Sequence, residues 1–181
     1  MPGRRTSAVS EARERIVPLA SSDIRLIEEH DIASILAINR DARPHVAPLD
    51  RSEVARLRGL EARIYVATAR TVCGYLIAIP SGSAYDAEEF RLLREQLNAS
   101  FLYIDQVAVA PQARRSGLGS SLYRKAETVA LATGATFVSC EVNLAPPNQA
   151  SLQFHERLGF GVIRECLLED GRRVALMARR L

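Results

Sequence analysis

Tyr103-Ile104-Asp105-Gln106-Val107-Ala108-Val109-Ala110-Pro111-Gln112-Ala113-Arg114-Arg115-Ser116-Gly117-Leu118-Gly119 is the stretch on which the reading of the chain turns. An apolar strand over 101–109 stops at Pro111, runs into a loop rich in arginine and glycine, and the loop opens an amphipathic helix over 117–133 that Gly134 ends. The first turn of a helix carries unpaired N–H groups and a partial positive charge, so the element is built to receive a phosphate. Gly117 and Gly119 let the backbone approach an anion without interference from a Cβ. Two nucleotide motifs of this kind fail here. A P-loop requires lysine where Ser120 stands, and a dinucleotide fingerprint requires a third glycine where Leu122 stands.

Outward from this stretch the elements alternate. Polar and apolar residues alternate over 22–27, predicting a first strand, and Asp31 is placed to cap a helix through Ile38. Asp50 and Glu53 form a capping-box pattern ahead of a second helix ending at Gly59. Residues 64–68 and 72–79 read as a strand pair, and 86–97 as a helix with Asp86 as cap and Glu88 and Glu89 in its first turn. Strand 136–142 follows the glycine-loop helix. Asn148 caps a helix closed by Gly159, and Asp170-Gly171 predicts a type I′ hairpin turn between 162–168 and 174–178. The order implies an α/β fold, a mixed sheet with helices on both faces.

The 181 residues, 48% apolar and 25% charged, suit one domain over 22–181 with a core of its own. Residues 1–21, with four arginines and no apolar h-region, read as a poorly ordered N-terminal arm rather than an export signal. The longest apolar runs, 32–38 and 101–104, are far shorter than the ~20 residues of a membrane helix, so no membrane partner is expected. The net charge of +3 comes from scattered arginines with Lys125 as the sole lysine. Without a basic stripe or stacking aromatics, no nucleic-acid partner is expected. Cys73, Cys140 and Cys166 sit in apolar runs and read as buried hydrophobes rather than a disulfide framework, which points to a cytoplasmic address. No metal is expected.

Arg114-x-x-Gly117-x-Gly119, behind Val107-Ala108-Val109-Ala110-Pro111, resembles the R/Q-x-x-G-x-G/A motif of the GNAT acetyltransferases. Downstream, Asn148-Gln149-Ala150-Ser151-Leu152-Gln153-Phe154-His155-Glu156-Arg157-Leu158-Gly159-Phe160 resembles their second motif, N-x-x-[AS]-x-x-[FL]-[YH]-E-[KR]-L-G-F. The resemblance covers about residues 101 to 160. It implies a GNAT fold, with a central sheet of about seven strands splayed in the middle, and acetyl transfer from acetyl-CoA to an amine by direct attack in a ternary complex. It further implies that the CoA pyrophosphate rests on Arg115, Ser116, Gly117, Leu118 and Gly119, with Arg114 and Ser120 nearby. Pantetheine would pair with the backbone of the strand at Val107, Ala108 and Val109, and Asn148 and Ser151 would complete the cofactor site. The strand's bulge N–H, at Val107, would polarise the thioester carbonyl.

His155 occupies the place where many relatives carry a tyrosine that protonates the leaving thiolate; a packed histidine is the other reading. The attacking amine must lose a proton, which a carboxylate can take. Glu141, at the end of an apolar strand, is one candidate, and a solvated strand end is the alternative. Asp105, which interrupts a strand expected to be buried on both faces, is the second; its alternative is a structural hydrogen bond or an ion pair with arginine. Asn148 serves equally as a helix cap. No cysteine is expected at the thioester. The acceptor is a small-molecule or peptide amine, held by 40–60 and 81–98 and drawn by Asp86, Glu88 and Glu89. A homodimer is left open, and the rival readings are a non-catalytic acyl-CoA-binding or sensing domain and, further off, a nucleotide-dependent oxidoreductase.

Overall fold

In the computed structural model, residues 23–181 are described; the expected arm over 1–21 and Ser22 lie outside the described residues. The elements are β1 (Asp23–Leu26), α1 (Ile32–Ala42), α2 (Arg51–Gly59), β2 (Arg63–Thr68), β3 (Val72–Pro80), α3 (Glu88–Leu97), β4 (Phe101–Val109), α4 (Leu118–Ala132), β5 (Phe137–Ala145), α5 (Gln149–Arg157), β6 (Gly161–Leu167) and β7 (Arg173–Arg180). The strands form one seven-stranded sheet in the order β1-β2-β3-β4-β5-β7-β6. Every pairing is antiparallel except β4 with β5. The fold is therefore the expected mixed α/β sheet.

Helices α1, α2 and α3 cover one face, where Ile35, Leu57, Phe90 and Leu93 pack on Ile77, Tyr103 and Leu176. On the other face the α4 stripe of Leu118, Leu122, Tyr123, Ala126 and Ala130 packs on Leu76, Ile104, Val138 and Met177. Strands clad on both sides become nearly continuous apolar runs, as β3 does from Gly74 to Ile79. Truncating a fully buried core residue such as Leu122 to alanine would cost about 2–5 kcal/mol.

The parallel junction decides where function can sit. β4 and β5 pair only over Phe101–Ile104 with Phe137–Cys140. Beyond it, β4 continues alongside β3, and β5 alongside β7. The strands splay. Against β3, Gln106 faces Ile77 and Ile104 faces Ala78, so Asp105 is the extra residue of a β-bulge. The bulge lies at Asp105 itself, two residues before the position expected from the resemblance.

Local signals were resolved differently at four points. Asp31 makes no cap bond to α1; its carboxylate grips Arg25 at 2.6 and 2.9 Å and accepts the Glu28 N–H at 2.8 Å, closing a capping box on the 3-10 turn Glu29–Asp31 instead. Asp50 does cap α2 through the Glu53 N–H, yet Glu53 turns to Arg56 instead of closing a capping box. Asp86 is not the cap of α3, whose N-cap is Ala87; it pairs with Arg91 at 2.7 Å. The hairpin turn is not type I′, because only Gly171 has positive φ. The Gly171 N–H donates to Leu168 O and the Leu168 N–H to Arg172 O, which makes a three-residue loop with glycine at its left-handed position. Among the described residues no helix is long and apolar enough to cross a membrane.

Candidate active site

The splay opens a cavity of about 950 Å³ between β4 and β5, walled by the start of α4, by α5, by the α1–α2 loop and by the β6–β7 turn. On its α4 side the wall is backbone. The Ala110 N–H bonds to Cys73 O at 2.8 Å, so by the alternation of an antiparallel ladder Ala108 and Gln106 also turn their N–H and C=O to β3. Val107 and Val109 therefore aim theirs into the splay. Ala108, grouped with them as a cofactor contact, offers no free backbone group there. The Val109 carbonyl accepts from Arg114 Nε at 3.2 Å.

Past Pro111, the N–H groups of Arg115, Ser116, Gly117, Leu118, Gly119 and Ser120 make no hydrogen bond among the described residues; Ser121 N–H, bonded to Gly117 O at 3.0 Å, is the first in α4 that does. Arg115 and Gly117 have φ of 62° and 86°, and the left-handed turns gather the free N–H groups into an anion-binding nest. The two glycines act differently from each other. Gly117 supplies the turn, whereas a Cβ on Gly119 would stand 3.1 Å from the Phe154 ring, so Gly119 admits α5. The Ser116 side chain folds the loop by donating to Ala113 O at 2.6 Å, and Ser116 is the one residue of the expected cofactor contacts that does not line the cavity.

On the α3 side the wall is side chain. The Tyr85 hydroxyl donates to Asp105 at 2.6 Å, and the Tyr103 hydroxyl donates to Glu141. Glu89, only 8% exposed, lines the same space. Arg172 reaches in from the β6–β7 turn, to Asp170 at 2.6 Å and to Glu141 and Glu89 at 3.8 and 3.9 Å, and Arg56 lies 5.5 Å over the Tyr85 ring. Burial, reinforced by Glu89, pushes the Glu141 carboxyl up to about 8 against the opposing pull of the Tyr103 hydroxyl and Arg172. Burial likewise raises Asp105 to about 6, with the Tyr85 hydrogen bond holding it down. Two carboxyls that titrate near neutrality in one cleft are suited to proton transfer. Of the acidic trio expected to draw the acceptor, only Glu89 faces the cavity. Asp86 is tied to Arg91, and Glu88 accepts the Glu169 N–H at 2.7 Å.

His155 is 3% exposed and both ring nitrogens are engaged. Nδ1 lies 2.8 Å from the Ser151 carbonyl, which can only accept, so Nδ1 carries the proton. Nε2 is then bare and accepts from the Tyr123 hydroxyl at 2.6 Å. Phe154, Phe160 and Tyr123 surround the ring edge-on, and burial lowers its pKa. This neutral ring has no free N–H to offer a thiolate. Asn148 caps α5, its Oδ1 accepting the Ser151 N–H at 3.2 Å, and both residues line the cavity. Against expectation, Cys140 also lines it; burial raises that thiol well above its usual range, so it is not poised as a thiolate.

Sequence reasoning passed over Tyr85, Gln106, Tyr123 and Arg172, which come from four separate elements and share no local motif. The α1–α2 loop and Tyr85 do reach the cavity from the two segments assigned to the acceptor.

The acetyltransferase (GNAT) family matches residues 32–160. A comparison with curated proteins finds no match. Among solved structures, the ribosomal-protein-S18-alanine N-acetyltransferase of Escherichia coli superposes with a TM-score of 0.64 at 20% identity, over 88% of this chain and 94% of that one. The ribosomal-protein-alanine N-acetyltransferase of Brucella melitensis gives 0.62 at 24% identity, over 87% and 99%. A putative acetyltransferase of Salmonella typhimurium, solved with its cofactor acetyl-CoA, gives 0.66 at 20%, over 90% and 95%. Splay, bulge and glycine loop coincide with a family match across most of the chain, and the chain belongs to the GNAT acetyltransferase family.

Proposed function

We propose that this protein transfers an acetyl group from acetyl-CoA to an amine, with both substrates bound together in the splay. One observation carries the reading: a single cavity has unspent backbone donors on one wall and two hydroxyl-bonded carboxyls of raised pKa on the other. The six free N–H groups from Arg115 to Ser120 fit a pyrophosphate, and the outward edge of β4 at Val107 and Val109 fits an amide-bearing arm laid down as an added strand. When bound, acetyl-CoA supplies the activated thioester. The Val107 N–H, aimed into the splay, would hold the carbonyl oxygen of that group, where a preorganised donor is worth most.

Glu141 takes the first proton from the acceptor ammonium, directly or through water, with Tyr103 fixing its carboxyl. The freed amine would then bond to the thioester carbon as its C–S bond breaks, and the thiolate would leave with the second proton that the nitrogen sheds. Asp105, held by Tyr85, is the neighbouring carboxylate that stabilises the incoming cation. His155 is a positioning residue, keeping the Tyr123 hydroxyl in the wall. A thiol-release assay with acetyl-CoA and a panel of amines and short peptides tests the reading. Release that depends on the acceptor supports it. Acetyl-CoA binding without release for any acceptor would leave an acyl-CoA sensing domain instead.

A further inference from the structure

One buried amide in the acceptor wall has its orientation dictated by backbone atoms. The Leu49 N–H can only donate, and it faces Asn39 Oδ1 at 3.0 Å; the Ala47 carbonyl can only accept, and it faces Asn39 Nδ2 at 2.9 Å. Asn39 is thus locked. After Ala47 its nitrogen has one hydrogen left, shared between the Tyr75 hydroxyl oxygen at 3.0 Å and Gln106 at 3.1 Å, so the Gln106 atom facing it is the oxygen, Oε1. The Tyr75 hydroxyl donates to the same oxygen at 2.9 Å. With Oε1 turned to Tyr75 and Asn39, the Gln106 NH₂ is the end left over, and among the described residues it has no partner.

Gln106 is 6% exposed, so a bare donor there is costly unless something outside the protein answers it. Among the described residues, the buried polar side-chain atoms sealed away without a partner are Ser139 Oγ and Asn143 Oδ1. The Gln106 nitrogen is not one of them: it is not sealed away, and the residue that bears it lines the cavity. The bulge at Asp105 turns consecutive residues to one face, since Asp105 meets Tyr85 while Gln106 meets Asn39 and Tyr75. The donor is therefore next in the chain to Asp105, one of the two carboxylates assigned to the amine.

We infer that Gln106 is a specificity-determining residue whose NH₂ donates to a neutral carbonyl oxygen adjacent to the acceptor amine, so that the preferred acceptor is an α-amino amide. The inference rests on the acceptor side assigned under the proposed function. A ligand carboxylate in that position would meet three carboxyls, Asp105, Glu89 and Glu141, against the Arg172 guanidinium that Glu89, Glu141 and Asp170 already share, whereas an amide carbonyl brings no charge. The same chemistry occurs in a free amino-acid amide and in the first residue of a peptide. Asn39 and Tyr75 are positioning residues that aim the amide, and Asn39 fastens the α1–α2 loop to it through Ala47 and Leu49.

The test is calorimetric binding to the CoA-saturated full chain of alaninamide, a short alanine peptide amide and the hydrocarbon isostere of alaninamide lacking the carbonyl. The ratio of amide to isostere affinity is the readout. Gln106→Glu keeps an oxygen for Asn39 and Tyr75 and loses the donor; its added charge acts on both cations and cancels in the ratio. Wild type should favour the amide, and Gln106→Glu should lower the ratio by about tenfold, the loss of one buried hydrogen bond. Gln106→Met should do the same without any charge. A wild-type ratio near one, or a ratio unchanged in Gln106→Glu, overturns the inference. Tighter binding of the peptide than of alaninamide assigns the site to chain termini, and the reverse to small amides; either supports it. If no acceptor releases thiol yet the ratio depends on Gln106, the proposed transfer falls while Gln106 stands as the donor that selects an α-amino amide ligand.

Discussion

Across the splay, the α4 wall and the α3 wall meet the same cavity with different materials. From Val107 to Ser120 the useful atoms are main-chain N–H groups, and side chains matter mainly where they are missing, as at Gly117 and Gly119. From Tyr85 to Arg172 the useful atoms are hydroxyls, carboxyls and one guanidinium from α3, β4, β5, the β6–β7 turn and the loop before α3. A backbone wall suits a ligand that never changes, because its donors are set by φ and ψ. A side-chain wall suits a variable acceptor, because each group can be exchanged without refolding the strand that bears it. The difference implies that α3-side substitutions should change rate and pH dependence, and α4-side substitutions should change cofactor binding.

The largest expected effect is on the α3 side. Glu141→Gln should lower kcat by about 10²–10⁴-fold while sparing acetyl-CoA binding, measured by thiol release and calorimetry. A base must be unprotonated, so the wild-type rate should climb with pH through about 8. Tyr103→Phe removes a hydrogen bond that holds this pKa down, and should move the limb to higher pH. Because the folded-state pKa of Glu141 is raised, its stabilising contribution is full below about 4.5 and lost as pH rises through about 8. Glu141→Gln should therefore melt higher than wild type at alkaline pH, the reverse of its effect on rate. An unchanged pH–rate profile would remove Glu141 from the role of base.

Gly117→Glu tests the opposite wall. Acetyl-CoA at a hundred times its Kd should stabilise wild type by about 2.7 kcal/mol, and the variant should lose this shift in thermal melts. The substitution puts a carboxylate beside the free N–H groups and a side chain at a φ of 86°. Retained cofactor binding would break the contrast between the walls.

His155→Phe separates packing from chemistry. It leaves the Tyr123 hydroxyl buried without its acceptor and should cost about 1–3 kcal/mol of stability, read by denaturant titration. Turnover per folded molecule should fall much less than in Glu141→Gln. The lowered pKa of His155 contributes stability above about 6.5, lost as pH falls through the folded-state value, and the phenylalanine variant should lack this acid-side loss. The smallest effect belongs to Asn148→Ala, which removes the α5 cap and should cost about 1 kcal/mol. A raised Michaelis constant for acetyl-CoA in the same variant would add a ligand contact to the cap.

What the sequence determined by itself was local. Periodicity placed the strands and helices, because burying one face writes a period into the residues of that face. The glycine loop was legible for a related reason: a left-handed turn followed by free helix N–H groups is built within one short segment. Asp105 and Glu141 stood out as carboxylates in apolar strands. Their partners did not, since Tyr85 reaches Asp105 from 20 residues away and Tyr103 reaches Glu141 from 38. Tertiary structure alone decided which residues share the splay. It turned His155 into a doubly bonded core ring, gave Asp86 to Arg91, and set the Gln106 amide by a chain of bonds through Asn39 to Leu49 and Ala47. The physical reason is that hydrogen-bond polarity and carboxyl pKa depend on the atoms a side chain meets, and those atoms come from distant parts of the chain that only packing brings together.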